Sequence, residues 1–133
     1  MTKEQLLRAA GLAPDEIEML PFGAIVVDAE GTILRYNAFE SQLSRLDPER
    51  VIGKNFFRDV APCTAVRAFE GRMREFLESD ERVSVTFDYR FSFKHGVEDV
   101  AITFMKMTAE DTMMIAVERL GSAEHAESIK ASS

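Results

Sequence analysis

The 133-residue chain has no tryptophan, one cysteine, and two histidines, His95 and His125, that lie far apart. A single cysteine excludes an internal disulfide, and these thiol and imidazole groups lack the spacing of a structural zinc site. No apolar run approaches the length of a membrane-spanning helix. The opening MTKEQLLRAAGLAPDE also has no long apolar centre of the kind a secretion signal needs. A cytoplasmic location is the expectation. Positive charge is in the minority, with 16 Lys and Arg against 23 Asp and Glu for a net charge of -7. That balance disfavours nucleic acid and anionic membrane surfaces as partners.

What is present is a composition of 46% hydrophobic and 29% charged residues, ordinary for a water-soluble fold and far from that of a disordered chain. The length suits one domain. Leu6, Leu7, Ala10 and Leu12, then Ile17, Met19 and Leu20, predict two short helices meeting at Pro14. FGAIVVDAEGTILRYN reads as a β-hairpin turning over Asp28 to Gly31. Brief helical turns are expected from Asn37 to Ile52, and another in KNFFRDVAP. After the cysteine, Val66, Phe69, Met73, Phe76 and Leu77 recur at helical spacing and predict an amphipathic helix.

In VSVTFDYRFSF the apolar side chains Val83, Val85, Phe87, Tyr89, Phe91 and Phe93 alternate with polar ones, which is the pattern of a half-buried strand. VEDVAITFMKM and MMIAVERL follow as two further strands across short links, so the pairing is antiparallel. Met113 and Met114 point to opposite faces. One is expected inside and the other on the outer sheet surface, where exposed apolar groups would favour a dimer or partner contact. Residues 121–133 are small and polar and read as a mobile tail.

The order is hairpin, short helices, one longer helix, then three strands in a meander. Within it, FGAIVVDAEGTILRYNAFE (22–40), VIGKNFFRDVAPCT (51–64) and FDYRF (87–91) resemble the corresponding stretches of the photoactive yellow protein family, blue-light receptors built on the PAS fold. The resemblance implies an α+β PAS fold. Its five-stranded antiparallel sheet would carry short helices and one longer helix on one face. The expected divisions are an N-terminal helical cap (1–20), a photosensory domain (21–120) and the tail (121–133).

The resemblance also implies a cofactor, p-coumaric acid, joined as a thioester to Cys63. A lone cysteine is ordinarily a small buried apolar side chain, and it is the flanking motif that changes this reading. A thiol near a helix N-terminus also meets the helix dipole and free backbone amides, which favour attack on an activated acyl group and could bind the resulting carbonyl. By the same resemblance Tyr36 and Glu40 hold the phenol oxygen, Glu40 donates the proton after light absorption, and Ser44 supports Tyr36. Their i, i+4 spacing puts Tyr36 and Glu40 on one side of a helical turn starting at Asn37. A buried phenolate disfavours a second negative charge, so Glu40 is expected to be protonated. Phe91 and Val60 are the foremost pocket-lining candidates; Phe56, Ile25, Val27, Tyr89 and Phe93 are candidates too, but for these plain core packing is the better reading.

Two positions depart from the family pattern. Leu46 stands where an arginine covers the phenolate, so either Arg45 substitutes for it or an apolar side chain covers the pocket. In the turn after Phe93, His95 or Gly96 replaces a methionine that speeds the return to trans, so dark recovery on a scale of minutes or longer is expected. His95 could instead make recovery pH-dependent. The chain would act, as a monomer or weak dimer, through a separate signalling protein. The competing reading is a chromophore-free PAS scaffold or dimerisation module. A thiol enzyme ranks lower still, because neither histidine is expected near Cys63.

Overall fold

The computed structural model describes residues 11, 14–79, 84–93, 95–107 and 111–120; of Phe93 the backbone alone is described. The helix expected before Pro14, His125 and the 121–133 tail lie outside these residues. The elements run α1 (Pro14–Glu18), β1 (Gly23–Asp28), β2 (Ile33–Tyr36), α2 (Ala38–Ser44) and α3 (Pro48–Val51). Three short turns follow: a π-helical one at Phe56–Val60, a 3-10 one at Pro62–Thr64 and a second π-helical one at Arg67–Gly71. The chain then continues through α4 (Arg72–Glu78), β3 (Ser84–Phe93), β4 (Gly96–Lys106) and β5 (Thr112–Arg119).

All five strands form one antiparallel sheet in the order β2-β1-β5-β4-β3. The first hairpin closes where expected: the Asp28 carboxylate accepts from the amides of Glu30 and Thr32, both at 2.9 Å, and Gly31 adopts φ +93°. That left-handed conformation is one that glycine adopts without a Cβ penalty.

The helical segments after β2 cover one face of the sheet. There Ile25, Val27, Ile33, Phe56, Phe69, Met73, Phe76, Phe104, Met113 and Ile115 form the main core. Phe69 sits at its centre, fully buried, with its ring 5.1–5.9 Å from those of Tyr89, Phe104, Phe87 and Phe56. Edge-on and tilted contacts of this kind add to the burial of each ring. β3 alternates as its sequence predicts, with Val85, Phe87, Tyr89 and Phe91 turned inward, while Thr86, Asp88, Arg90 and Ser92 are exposed.

Two expectations need correction. The amphipathic helix does not begin at Val66, which is extended and 48% exposed; a π-helical turn intervenes, and Phe69, Met73 and Phe76 alone are fully buried. Met113 and Met114 do face opposite sides of the sheet, but neither is exposed. Met114 packs with Ile17, Ala24, Val26 and Met105 in a second core, joined by Leu20, Phe22 and Met107. The segment containing α1 therefore covers the outer sheet face, and the apolar surface that would have favoured a dimer there is already buried within the chain. Among the described residues no helix is long and apolar enough to cross a membrane.

Candidate functional site

A cavity of ≈ 200 Å³ lies beside α2 and the 56–62 segment. Its polar wall is formed by Tyr36, Glu40 and Ser44, and its apolar wall includes Leu46, Phe56, Val60 and Phe91; Ala61, Pro62 and Ser92 complete the lining. The polar wall is positioned by the junction of β2 and α2. Tyr36 ends the strand, Asn37 caps the helix, and Glu40 lies in the first turn. Tyr36 and Glu40 are thus brought together by a strand end and a capped helix start, not by two positions of a single helix.

Asn37 is the residue that composition alone did not single out. Its Oδ1 accepts from the amides of Glu40 and Ala24, both at 2.9 Å, and its Nδ2 donates to the carbonyls of Ile17 and Phe22 at 3.1 and 3.0 Å. One buried side chain therefore ties α2, β1 and the N-terminal cap together. An Asn directly before an apolar-periodic segment is a cap signal, and that signal was available in the sequence.

The Tyr36 hydroxyl lies 2.6 Å from Ser44 Oγ and donates to Glu40 Oε2 across a long 3.5 Å. Glu40 is only 2% exposed, and its other oxygen, Oε1, has no hydrogen-bond partner. Burial raises its pKa from 4.5 to about 8, opposed by the bond from Tyr36. The carboxyl is therefore mostly protonated at neutral pH. Burial also pushes the Tyr36 phenol well above its ordinary value, and the Glu40 charge adds to this. Tyr36 and Glu40 are consequently two neutral groups of the polar wall, each able to donate a hydrogen bond.

Among the described residues no basic side chain lines the cavity. Arg45 is exposed at the C-terminus of α2 in a left-handed conformation, φ 62°, whereas Leu46 is in the wall. Of the two alternatives for covering this end, the structure has the apolar one.

Cys63 is half-buried at the middle of the 3-10 turn and packed against the main core; it is not itself in the cavity lining but directly follows the lining residues Ala61 and Pro62 in the chain. The amides around it are not free as expected: Thr64 N and Ala65 N donate to the carbonyls of Ala61 and Pro62 at 2.9 and 3.1 Å. The Cys63 carbonyl accepts from the Tyr89 hydroxyl at 2.7 Å. Burial, followed by the nearby Cys63, raises the Tyr89 pKa. Tyr89 is therefore a partner of the cysteine turn and not part of the cavity lining.

Ile25 is not in the wall either. It lies opposite Tyr36 in the hairpin register and is buried in the main core, as is Val27. His95 occupies the turn between β3 and β4, away from the lining. Among the described residues no cluster of His, Cys, Asp or Glu could hold a metal ion.

Comparison with known proteins agrees with this architecture. A family model described as the PAS fold matches residues 17–115. The chain is 39% identical over 111 residues to a photoactive yellow protein of Halochromatium salexigens, covering 84% of this chain and 88% of that protein. It is 44% identical over 81 residues to one from Cereibacter sphaeroides, covering 61% and 64% of the two chains. Among solved structures, the photoactive yellow protein domain of the sensor histidine kinase Ppr from Rhodospirillum centenum superposes with a TM-score of 0.74 at 41% identity. That match covers 81% of this chain and 94% of that one. With the family model spanning most of the fold and identity near two in five over most of the chain, the protein belongs to the photoactive yellow protein family, a sensory rather than catalytic group with the PAS fold.

Proposed function

We propose that the chain is a blue-light receptor carrying p-coumaric acid as a thioester on Cys63, and that Glu40 is the group whose proton moves after light absorption. The bound group would supply visible absorption and a trans-to-cis isomerisation. The observation that carries the reading is the pairing of two neutral donors, Tyr36 and Glu40, in an otherwise largely apolar cavity next to a cysteine-bearing turn.

These residues fit the group. A phenol oxygen needs strong hydrogen bonds if it is to be held as an anion away from water. Tyr36 can turn its proton from the long bond with Glu40 toward such an oxygen while Ser44 donates to Tyr36, since the 2.6 Å contact accommodates either direction. Glu40 supplies the second bond because burial keeps its proton in place. Leu46, Phe56, Val60 and Phe91 exclude water around the rest of the cavity. Release of the Glu40 proton would leave a buried carboxylate, which is costly enough to rearrange its surroundings. The route outward is short. The Glu40 amide shares Asn37 with the carbonyls of Ile17 and Phe22, so a disturbance of α2 reaches the N-terminal cap and any separate signalling partner that reads it.

The test is reconstitution with activated p-coumaric acid. Native protein and Glu40→Gln should both gain a visible band, at different wavelengths, and Cys63→Ala should gain none while remaining folded. A band that survives Cys63→Ala would overturn attachment, and identical spectra and photocycles for native and Glu40→Gln would overturn the role of Glu40.

A further inference from the structure

Glu40 has one carboxyl oxygen facing Tyr36 and another with no partner, and the location of the second depends on a residue outside the cavity. A Cβ built on Gly23 would lie 2.1 Å from Glu40 Oε1 and 3.2 Å from its Cδ, with the Val117 Cβ at 3.3 Å. Gly23 is the first residue of β1, paired with Val117 of β5, and its φ is not left-handed. Space, and not backbone conformation, is what requires glycine here.

We propose that Gly23 is a positioning residue for Glu40: the gap left by its missing side chain seats Oε1 against β1 and so fixes Oε2 as the oxygen that faces Tyr36. Oε1 is buried without a hydrogen-bond partner. A carbonyl oxygen tolerates that situation better than a hydroxyl, whose donor would be left unmade. The proton is therefore placed on Oε2, whose hydroxyl points at the Tyr36 oxygen when Tyr36 in turn donates to Ser44, a direction the 2.6 Å contact allows. The significance of this for a light cycle rests on the reading of Glu40 as proton donor; the placement itself does not.

The backbone around the gap cannot easily shift to admit a methyl group. Asn37 Oδ1 binds the amides of both Ala24, next to Gly23, and Glu40, holding α2 to β1. A side chain at position 23 must then displace the flexible carboxyl end of Glu40. The Val117 side chain of β5 borders the same gap, and the titratable group paired with Glu40 is Tyr36, with the Ser44 hydroxyl behind it. The way open to the carboxyl is toward the cavity that Glu40 lines, and out of the gap against β1, where desolvation disfavours the charged form less.

The experiment is a pH titration of the Glu40 side-chain carboxyl carbon by NMR, in chromophore-free native protein and in Gly23→Ala. The native midpoint should lie at about 8, and Gly23→Ala should lower it by about one unit or more, a tenfold loss of proton affinity. An unchanged or raised midpoint in folded Gly23→Ala overturns the proposal. If Gly23→Ala does not fold, the double variant Gly23→Ala/Glu40→Asp decides: the shorter side chain should vacate the gap and restore folding, and failure to do so overturns the proposal equally. No chromophore enters this titration. A failure to attach one would leave the result standing, and a failed titration would leave attachment standing.

Discussion

Glu40 makes the protein's stability depend on pH in a direction opposite to that of most carboxylates. Its pKa is raised on folding from 4.5 to about 8. Below pH 4.5 folded and unfolded chains both hold the proton, and the group has no net effect. Between 4.5 and 8 the unfolded chain releases it while the folded chain keeps it. Stability therefore falls as pH rises through this window and levels off above it. At 1.36 kcal/mol per unit the full gap corresponds to about 5 kcal/mol, a ceiling that water entering the adjacent cavity would lower. Even half of that is a large share of a typical domain's ~5–15 kcal/mol. Urea denaturation of chromophore-free native protein and Glu40→Gln, at steps from pH 5 to pH 9, reads the effect directly. The glutamine variant should gain on the native protein as pH rises, with the difference flattening above about pH 8. Parallel pH profiles would show that Glu40 is not held protonated by burial.

Three further outcomes follow from named contacts. Asn37→Ala removes a helix cap and strands the Ile17 and Phe22 carbonyls; it should cost about 2 kcal/mol or more and speed hydrogen exchange in α1 before β4. Arg45→Gly relieves a left-handed non-glycine residue and should stabilise the chain by about 1 kcal/mol, read as a higher denaturation midpoint with an unchanged slope. Phe69→Ala empties the centre of the aromatic cluster and should cost roughly 3–5 kcal/mol; a loss under 1 kcal/mol would mean that the cluster repacks freely.

Strand order and turns were legible because periodicity and turn chemistry are local. The alternation through β3, the Asp28–Gly31 turn and the short β4–β5 link each specify their element without reference to the rest of the chain. Tyr36, Glu40, Ser44, Phe56, Val60 and Phe91, named from the family resemblance, do share one cavity. What sequence left open is non-local. Ile25 has the same apolar character as a lining residue, and the hairpin register is what settles its place in the core opposite Tyr36. Met114 looked exposed because the cover supplied by Ile17, Leu20 and Phe22 comes from the other end of the chain. The amides of Thr64 and Ala65 looked free because a three-residue 3-10 turn, unlike a long helix, bonds them at once. Tyr89 faces inward as the alternation requires, yet the partner of its hydroxyl, the carbonyl of Cys63, is set only when β3 folds against the cysteine turn.

The most direct test of light reception is an absorption spectrum with intact mass, taken after incubation with activated p-coumaric acid and again under blue light. The expected result is one added acyl group, located on Cys63, a visible band, and bleaching that reverses in the dark. Well-folded protein that takes up no acyl group, or a band that does not respond to light, would contradict it.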